Sequence, residues 1–214
     1  MLEDGSLKLS VIIPMFNQEK RVKTGLDSIP KRDDIEIIVV DDCSTDGSLN
    51  AVRDYKEKTG KNITILHNER NRGVGYTFNR GLDIARGEYV AQLDSDGDYF
   101  VGLERAIYFL DGEWDLIYFP YELNDGTFWQ TGIRDVGQNC GTLKFMKRGF
   151  IGDMRELHLE NGEDVEFYFR LRKKNPLEKH LNKEIVYLHY NYPREGSLTW
   201  NVLHGITPRR QVRE

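Results

Sequence analysis

Asp94 and Asp96 stand one residue apart at the end of the run Glu88-Tyr-Val-Ala-Gln-Leu-Asp94. An apolar strand running straight into two carboxylates suits a Mg²⁺ or Mn²⁺ ion. Such ions take hard oxygen ligands and can hold a phosphate-bearing substrate at the same time. The pair therefore points to chemistry on a nucleotide diphosphate. Rival readings fail on spacing. Asp94, Asp96 and Asp98 begin like a calcium-binding loop, but the sixth position is Tyr99 instead of Gly and the twelfth is Arg105 instead of Glu. Gly73-Val-Gly75 begins like a dinucleotide fingerprint, but Phe78 occupies the third glycine position. No G-x-x-x-x-G-K-[ST] phosphate loop and no serine-hydrolase elbow occurs.

Strands and helices must bring such residues together. Leu9–Ile13 reads as a strand stopped by Pro14. Val22, Leu26 and Ile29 recur at helical spacing, and Ile35–Val40 is a second buried strand. Ser44 and Asp46 can cap a helix carrying Leu49, Val52 and Tyr55 that stops near Gly60. Residues 62–66 form a third strand, Val74, Phe78, Leu82 and Ala85 mark a helix face, and residues 88–93 form a fourth strand. This alternation predicts an α/β fold with a mainly parallel sheet covered on both faces. Ligands on such sheets bind beyond the carboxyl ends of the strands. Pro14-Met-Phe-Asn17, Asp41-Asp42 and Asp94-Ser-Asp96 all fall there.

The second half is less regular. Leu103, Ile107 and Leu110 suggest a helix and residues 115–119 a strand. Val165, Tyr168, Phe169 and Leu171-Arg172 suggest a helix opening at Gly162-Glu163-Asp164, and residues 185–189 a late strand. Residues 120–150 show no clear period, and Lys144, Lys147 and Arg148 read there as solvated surface. One domain with two lobes is expected: residues 1–98 for the nucleotide, residues 99–204 for the acceptor, and a polar tail over 205–214.

The bulk properties narrow the function class. The 214 residues carry a net charge of −5, which argues against a nucleic-acid partner. Cys43 and Cys140 lack metal-site spacing and read as free thiols of a reducing compartment. With no signal peptide in view, a cytoplasmic location is expected, and the Asn62-Ile-Thr64 sequon should stay unused. No apolar run approaches the ~20 residues of a membrane span.

Several segments together carry a family resemblance. They are Val11-Ile-Ile-Pro-Met-Phe-Asn-Gln-Glu19, Ile38-Val-Val-Asp-Asp-Cys-Ser-Thr-Asp-Gly47, Asn71-Arg-Gly-Val-Gly75 with Asn79-Arg-Gly81, and Ala85-Arg-Gly-Glu-Tyr-Val-Ala-Gln-Leu-Asp-Ser-Asp96. Asn161-Gly-Glu-Asp-Val-Glu-Phe167 and the stretch from Tyr190 to Thr199 follow in order. The chain resembles family 2 glycosyltransferases of the GT-A fold, which have a Rossmann-like sheet and a smaller mixed acceptor lobe. The resemblance implies metal-dependent, inverting transfer of a sugar from a nucleotide-sugar, with UDP favoured, to a glycan or lipid-linked glycan acceptor. Mn²⁺ or Mg²⁺ would be the cofactor.

Residue by residue, the resemblance makes Asp96 a metal ligand and Asp94 a second ligand or ribose contact. Ser95 joins the nucleotide-binding loop. Asp42 would accept the N–H of the base, and Pro14, Phe16 and Glu19 would line the nucleoside. Phe16 stands where tyrosine is commoner, which keeps stacking and loses a hydroxyl. Asp164 would be the general base, supported by Glu163. Arg194, with Ser197, would close over the diphosphate, and His189 is a candidate third metal ligand. Each also has a plain structural alternative, such as capping a helix or lying on an exposed loop. One departure stands out. The family's Ala-Arg-Asn is here Thr77-Phe78-Asn79, so an arginine is missing that Arg72 or Arg80 would have to replace.

Two further function classes fit parts of the pattern. A sugar-1-phosphate nucleotidyltransferase shares a similar core, but residues 14–19 lack its glycine-rich phosphate loop. A non-catalytic nucleotide- or glycan-binding module of a longer protein is the other. A lipid-linked acceptor would place the protein peripherally at the cytoplasmic membrane face, although no amphipathic anchor is visible.

Overall fold

The structure is a computed structural model that describes residues 6–129, 144–157 and 163–191. The first half alternates as expected: β1 (Leu9–Met15), α1 (Val22–Ser28), β2 (Ile35–Asp41), α2 (Ser48–Thr59), β3 (Ile63–His67), α3 (Val74–Ile84) and β4 (Tyr89–Gln92). The second half contributes β5 (Tyr99–Val101), α4 (Leu103–Ala106), β6 (Leu116–Tyr118), β7 (Tyr121–Leu123), β8 (Phe128–Trp129) and β9 (Lys144–Lys147). It ends with α5 (Arg148–Ile151), α6 (Glu163–Arg172), β10 (Glu178–His180) and β11 (Tyr187–Tyr190).

Seven strands form one sheet in the order β10-β6-β9-β4-β1-β2-β3. All neighbours are parallel except β9, which runs against both β4 and β6. The two halves of the chain therefore share a sheet, because β6, β9 and β10 extend the strands of the first half. A smaller mixed sheet, β5-β11-β7-β8, stands beside it. Alternation along the central strands fills two cores. Val11, Ile13, Ile37 and Val39 face one layer, while Ile12, Ile38 and Val40 face Phe78, Leu82 and Phe167 on the other.

Three expectations need correction. Pro14 does not stop β1, which continues to Met15. Pairing with β4 ends at Ile12↔Gln92, and the Met15 carbonyl accepts from Asp42 N on the β2 side. Successive residues face opposite neighbours, so the missing N–H of Pro14 falls on the side where β4 has already diverged. Second, Lys144 is not surface. It lies in β9 at 3% exposure, its ammonium 5.0 Å from the Tyr168 ring. Third, α4 is a single turn continued by a 3-10 turn over Ile107–Phe109, shorter than the 103–110 periodicity suggested. No helix among the described residues is long and apolar enough to cross a membrane.

Candidate active site

The order β4-β1-β2 sets three polar strand ends side by side. Side chains then stitch their loops together. Asn17 N donates to Ser44 Oγ (2.9 Å), Gln18 N to Ser48 Oγ (2.7 Å) and Thr45 N to Asn17 Oδ1 (2.8 Å). Glu19 N donates to Asp46 Oδ2, and the Glu19 carboxylate accepts from Gly47 N at 3.3 Å. Ser44 and Asp46 thus bind the neighbouring loop. Asp46 also accepts from Ser48 N (3.0 Å) at the start of α2, whereas the Ser44 hydroxyl, expected as a cap, serves Asn17 instead. Asn17 (φ 54°) and Cys43 (φ 63°) both adopt left-handed backbone here, and such strain collects at functional edges. Phe16 projects from this ridge at 41% exposure, free to stack on a ring.

Asp42 is buried and already loaded. Its Oδ1 accepts from Asn68 Nδ2 (2.7 Å) and Arg72 N (2.8 Å), and its Oδ2 accepts from Gly73 N (2.8 Å). Gly73 has φ 86°, a conformation that side chains avoid, so the turn into α3 depends on glycine. A carboxylate oxygen can take two donors, so Oδ2 keeps capacity for one more N–H. Asp41 points elsewhere: its Oδ2 meets His67 Nδ1 at 2.8 Å.

Ser95 spends its hydroxyl on the Pro14 carbonyl (2.7 Å), fixing the angle between the ends of β4 and β1. The loop beyond is held by the smaller sheet. Asn191 Nδ2 donates to the Asp96 carbonyl (2.9 Å) and Asn191 N to Asp98 Oδ1 (2.9 Å). Between these contacts Gly97 has φ 116°, and a Cβ there would lie 2.6 Å from Asn191 Nδ2. Gly97→Ala should therefore displace Asp96. The expected result is loss of activity well beyond the drop in melting temperature, read by comparing turnover with thermal unfolding.

Asp94 receives Gln92 Nε2 at 3.0 Å. Desolvation in the cleft, then the Asp96 charge, then those of Asp164 and Glu163 push its carboxyl up to about 7 against the Gln92 bond. Residues from the end of β4 and the start of α6 thus feel one another across one cleft. Asp164 is partly exposed in the first turn of α6, with its Oδ1 accepting Val165 N (2.8 Å), and Glu163 is buried.

Glu156 is a member of this cleft that no sequence pattern marked, because it lies in an aperiodic stretch. It is 5% exposed. Asn79 holds its main chain by two bonds, Nδ2 to the Glu156 carbonyl (2.8 Å) and Oδ1 from Glu156 N (2.9 Å). Gly75 on α3 leaves room for it: a Cβ there would meet Glu156 Oε2 and Glu163 Cγ, each at 3.2 Å. Burial, then the charges of Asp164 and Glu163, push Glu156 up to about 8, opposed by Lys144. A carboxyl raised in the folded state stabilises the fold below its unfolded value near 4.5 and loses that contribution as pH climbs through 8. Without divalent metal, Glu156→Gln should raise the melting temperature at pH 8 and leave it nearly unchanged at pH 5. At about 2–4 °C per kcal/mol for a chain this size, thermal scans resolve the difference.

Among the described residues no three His, Cys, Asp or Glu side chains cluster closely enough to cage a metal. Asp94 and Asp96 fit a different mode, in which one or two carboxylates hold Mg²⁺ or Mn²⁺ and substrate phosphates complete the shell. The mutual repulsion of the cleft's acids fits a cation there. His189 is placed otherwise. Its Nδ1 meets Glu122 Oε2 (3.2 Å), its Nε2 meets Asn124 Oδ1 (3.1 Å), and its ring stacks on Tyr99. Arg194 and Ser197 lie outside the described residues, as does Cys140.

The poly(ribitol-phosphate) beta-glucosyltransferase of Bacillus spizizenii is 39% identical over 105 residues, covering 47% of this chain and 16% of that protein. Glycosyltransferase GlyG of Streptococcus pneumoniae is 30% identical over 182 residues, covering 72% of this chain and 60% of that one. This chain thus spans only part of the length of these relatives. The crystal structure of Staphylococcus aureus TarS residues 1–349 in complex with UDP-GlcNAc superposes with a TM-score of 0.75 at 27% identity, covering 89% of this chain and 60% of that one. The fold is therefore the GT-A type. Residues 10–181 match Glycosyl transferase family 2, and the chain belongs to that family.

Proposed function

We propose that this chain transfers a sugar from a UDP-sugar to a hydroxyl of a glycan or glycolipid, inverting the anomeric carbon, with a divalent metal at Asp94 and Asp96. One observation carries the reading most. Carboxylates from β4 and α6 converge on a single cleft beside the loops that can seat a nucleoside. The UDP-GlcNAc complex of TarS favours UDP as the carrier.

Asp164 takes the proton as the acceptor oxygen attacks the anomeric carbon. The new carbon–oxygen bond forms while the bond to the β-phosphate oxygen breaks, and UDP leaves with that electron pair. An acceptor hydroxyl is a poor nucleophile at neutral pH, so removing its proton during attack lowers the barrier. The metal, when bound by Asp94 and Asp96, neutralises charge gathering on the leaving diphosphate. Glu163 and Glu156 brace the wall from which Asp164 projects. Asp42 accepts the ring N–H of the base, Phe16 stacks on it, and Pro14 and Glu19 shape the loop. Arg194 is assigned to the diphosphate.

The test is a panel of UDP-, dTDP- and GDP-sugars with Mn²⁺ and with EDTA, followed by NMR of the product's anomeric proton. Turnover of a UDP-sugar with inversion supports the reading. A retained anomeric configuration, or transfer unaffected by EDTA, would contradict it.

A further inference from the structure

We propose that Arg80 is a positioning residue for nucleobase recognition, acting through Asn68 on Asp42. The inference rests on the reading of Asp42 as the group that accepts the base N–H. Arg80 lies on α3, one turn beyond Tyr76, and reaches back to the end of β3. Its Nη1 donates to the His67 carbonyl (2.9 Å) and to Asn68 Oδ1. Asn68 is 3% exposed. Its Nδ2 donates to Asp42 Oδ1 (2.7 Å) and contacts Thr77 Oγ1 (3.2 Å), and its main-chain N donates to the Asp41 carbonyl (2.8 Å). Thr77 Oγ1 donates in turn to the Gly73 carbonyl at 2.7 Å.

The direction of this chain follows from the donor inventory. A guanidinium only donates, so the amide atom facing it must be the Asn68 oxygen. The amide nitrogen is then turned toward the Asp42 carboxylate, which only accepts. A flipped amide would set donor against donor at Arg80 and acceptor against acceptor at Asp42. Arg80 thus fixes which face of Asn68 meets Asp42, and Asp42 is left with one open acceptor position on Oδ2.

Charge adds a second argument. Arg32, Arg86, Arg155, Arg170 and Arg172 each pair with a carboxylate. Among the described residues Arg80 forms no such pair and is held by neutral oxygens. It lines a concavity of about 450 Å³ with Asn68, Arg72 and Tyr76. The Arg72 guanidinium lies 4.3 Å over the Tyr76 ring on the same wall. The guanidinium thus sits against the oxygen of the same amide whose nitrogen serves Asp42. This assigns to Arg80 a support for the base site despite the absence of the family's arginine at position 78.

The experiment compares UDP and CDP by calorimetric titration in Mn²⁺. Uracil carries an N–H at ring position three, whereas cytosine has a bare nitrogen there, so an accepting Asp42 discriminates between them. Asp42→Asn, Arg80→Ala and Arg80→Lys are measured beside the native chain, each checked by thermal unfolding. The expected result is that Asp42→Asn and Arg80→Ala both erase most of the UDP preference, with UDP weakened about tenfold, ~1.4 kcal/mol. Arg80→Lys, which retains the charge and one donor, recovers part of it, and kcat changes less than donor KM in all three. If Asp42→Asn erases the preference while both Arg80 variants keep it, the Arg80 role is overturned and the base reading survives. If Asp42→Asn leaves the preference intact, the base reading itself fails. A uniform loss of UDP and CDP binding with a lowered melting temperature in both Arg80 variants would show a structural role and overturn the proposal.

Discussion

Asp164→Asn should abolish most transfer while leaving UDP affinity within a few fold of the native value. The expected loss in kcat is about 10²–10⁴-fold, the usual contribution of a positioned general base. The substitution keeps the size and polarity of the side chain and removes only its ability to take a proton. Asp164 occupies the first turn of α6. It is partly exposed beside a buried Glu163, so a proton can leave toward solvent after the step. Single-turnover transfer and UDP titration separate chemistry from binding. Unchanged transfer would remove Asp164 from the mechanism, and parallel loss of UDP binding would point to a misfolded cleft.

Asp96→Asn should produce the second large effect by a different route. Here the loss falls on donor binding and on the metal requirement together. A cation on a transferring diphosphate contributes several kcal/mol, on the order of 10³-fold in rate. The Asp96 main chain is held by Asn191 whatever the side chain, so the loop should keep its shape. The variant should show weak transfer that added Mn²⁺ no longer stimulates. Activity that follows Mn²⁺ as in the native chain would place the metal elsewhere.

The first half of the fold was legible because its strands are long enough for both faces to be apolar. Ile35–Asp41 and Leu9–Met15 are buried at every position, and the helices between them carry clear periods. The carboxylate-rich edge followed directly, since Asp41-Asp42 and Asp94-Ser-Asp96 end apolar strands. The second half was harder to read for physical reasons. Its strands are mostly three or four residues long, too short to show a period. Lys144 hides in β9 with its ammonium set over the Tyr168 ring, which makes a central strand look like surface. Glu156 escaped notice because its burial depends on Gly75 and Asn79, roughly eighty residues earlier in the chain, and pairing at that range leaves no local signature. Ser95 was expected in the nucleotide-binding loop, and in the structure its hydroxyl also ties that loop to the Pro14 carbonyl.

The cleft brings together Asp94, Asp96, Glu156, Glu163 and Asp164, with Lys144 opposing the charge only at Glu156, so a free diphosphate should be repelled from it. Calorimetric titration of UDP into the native chain, in Mn²⁺ and then in EDTA, measures this directly. UDP should bind at least ~10-fold more tightly with Mn²⁺ and lose that gain when the metal is chelated. Equal affinity under both conditions would contradict a metal-bridged diphosphate at Asp94 and Asp96.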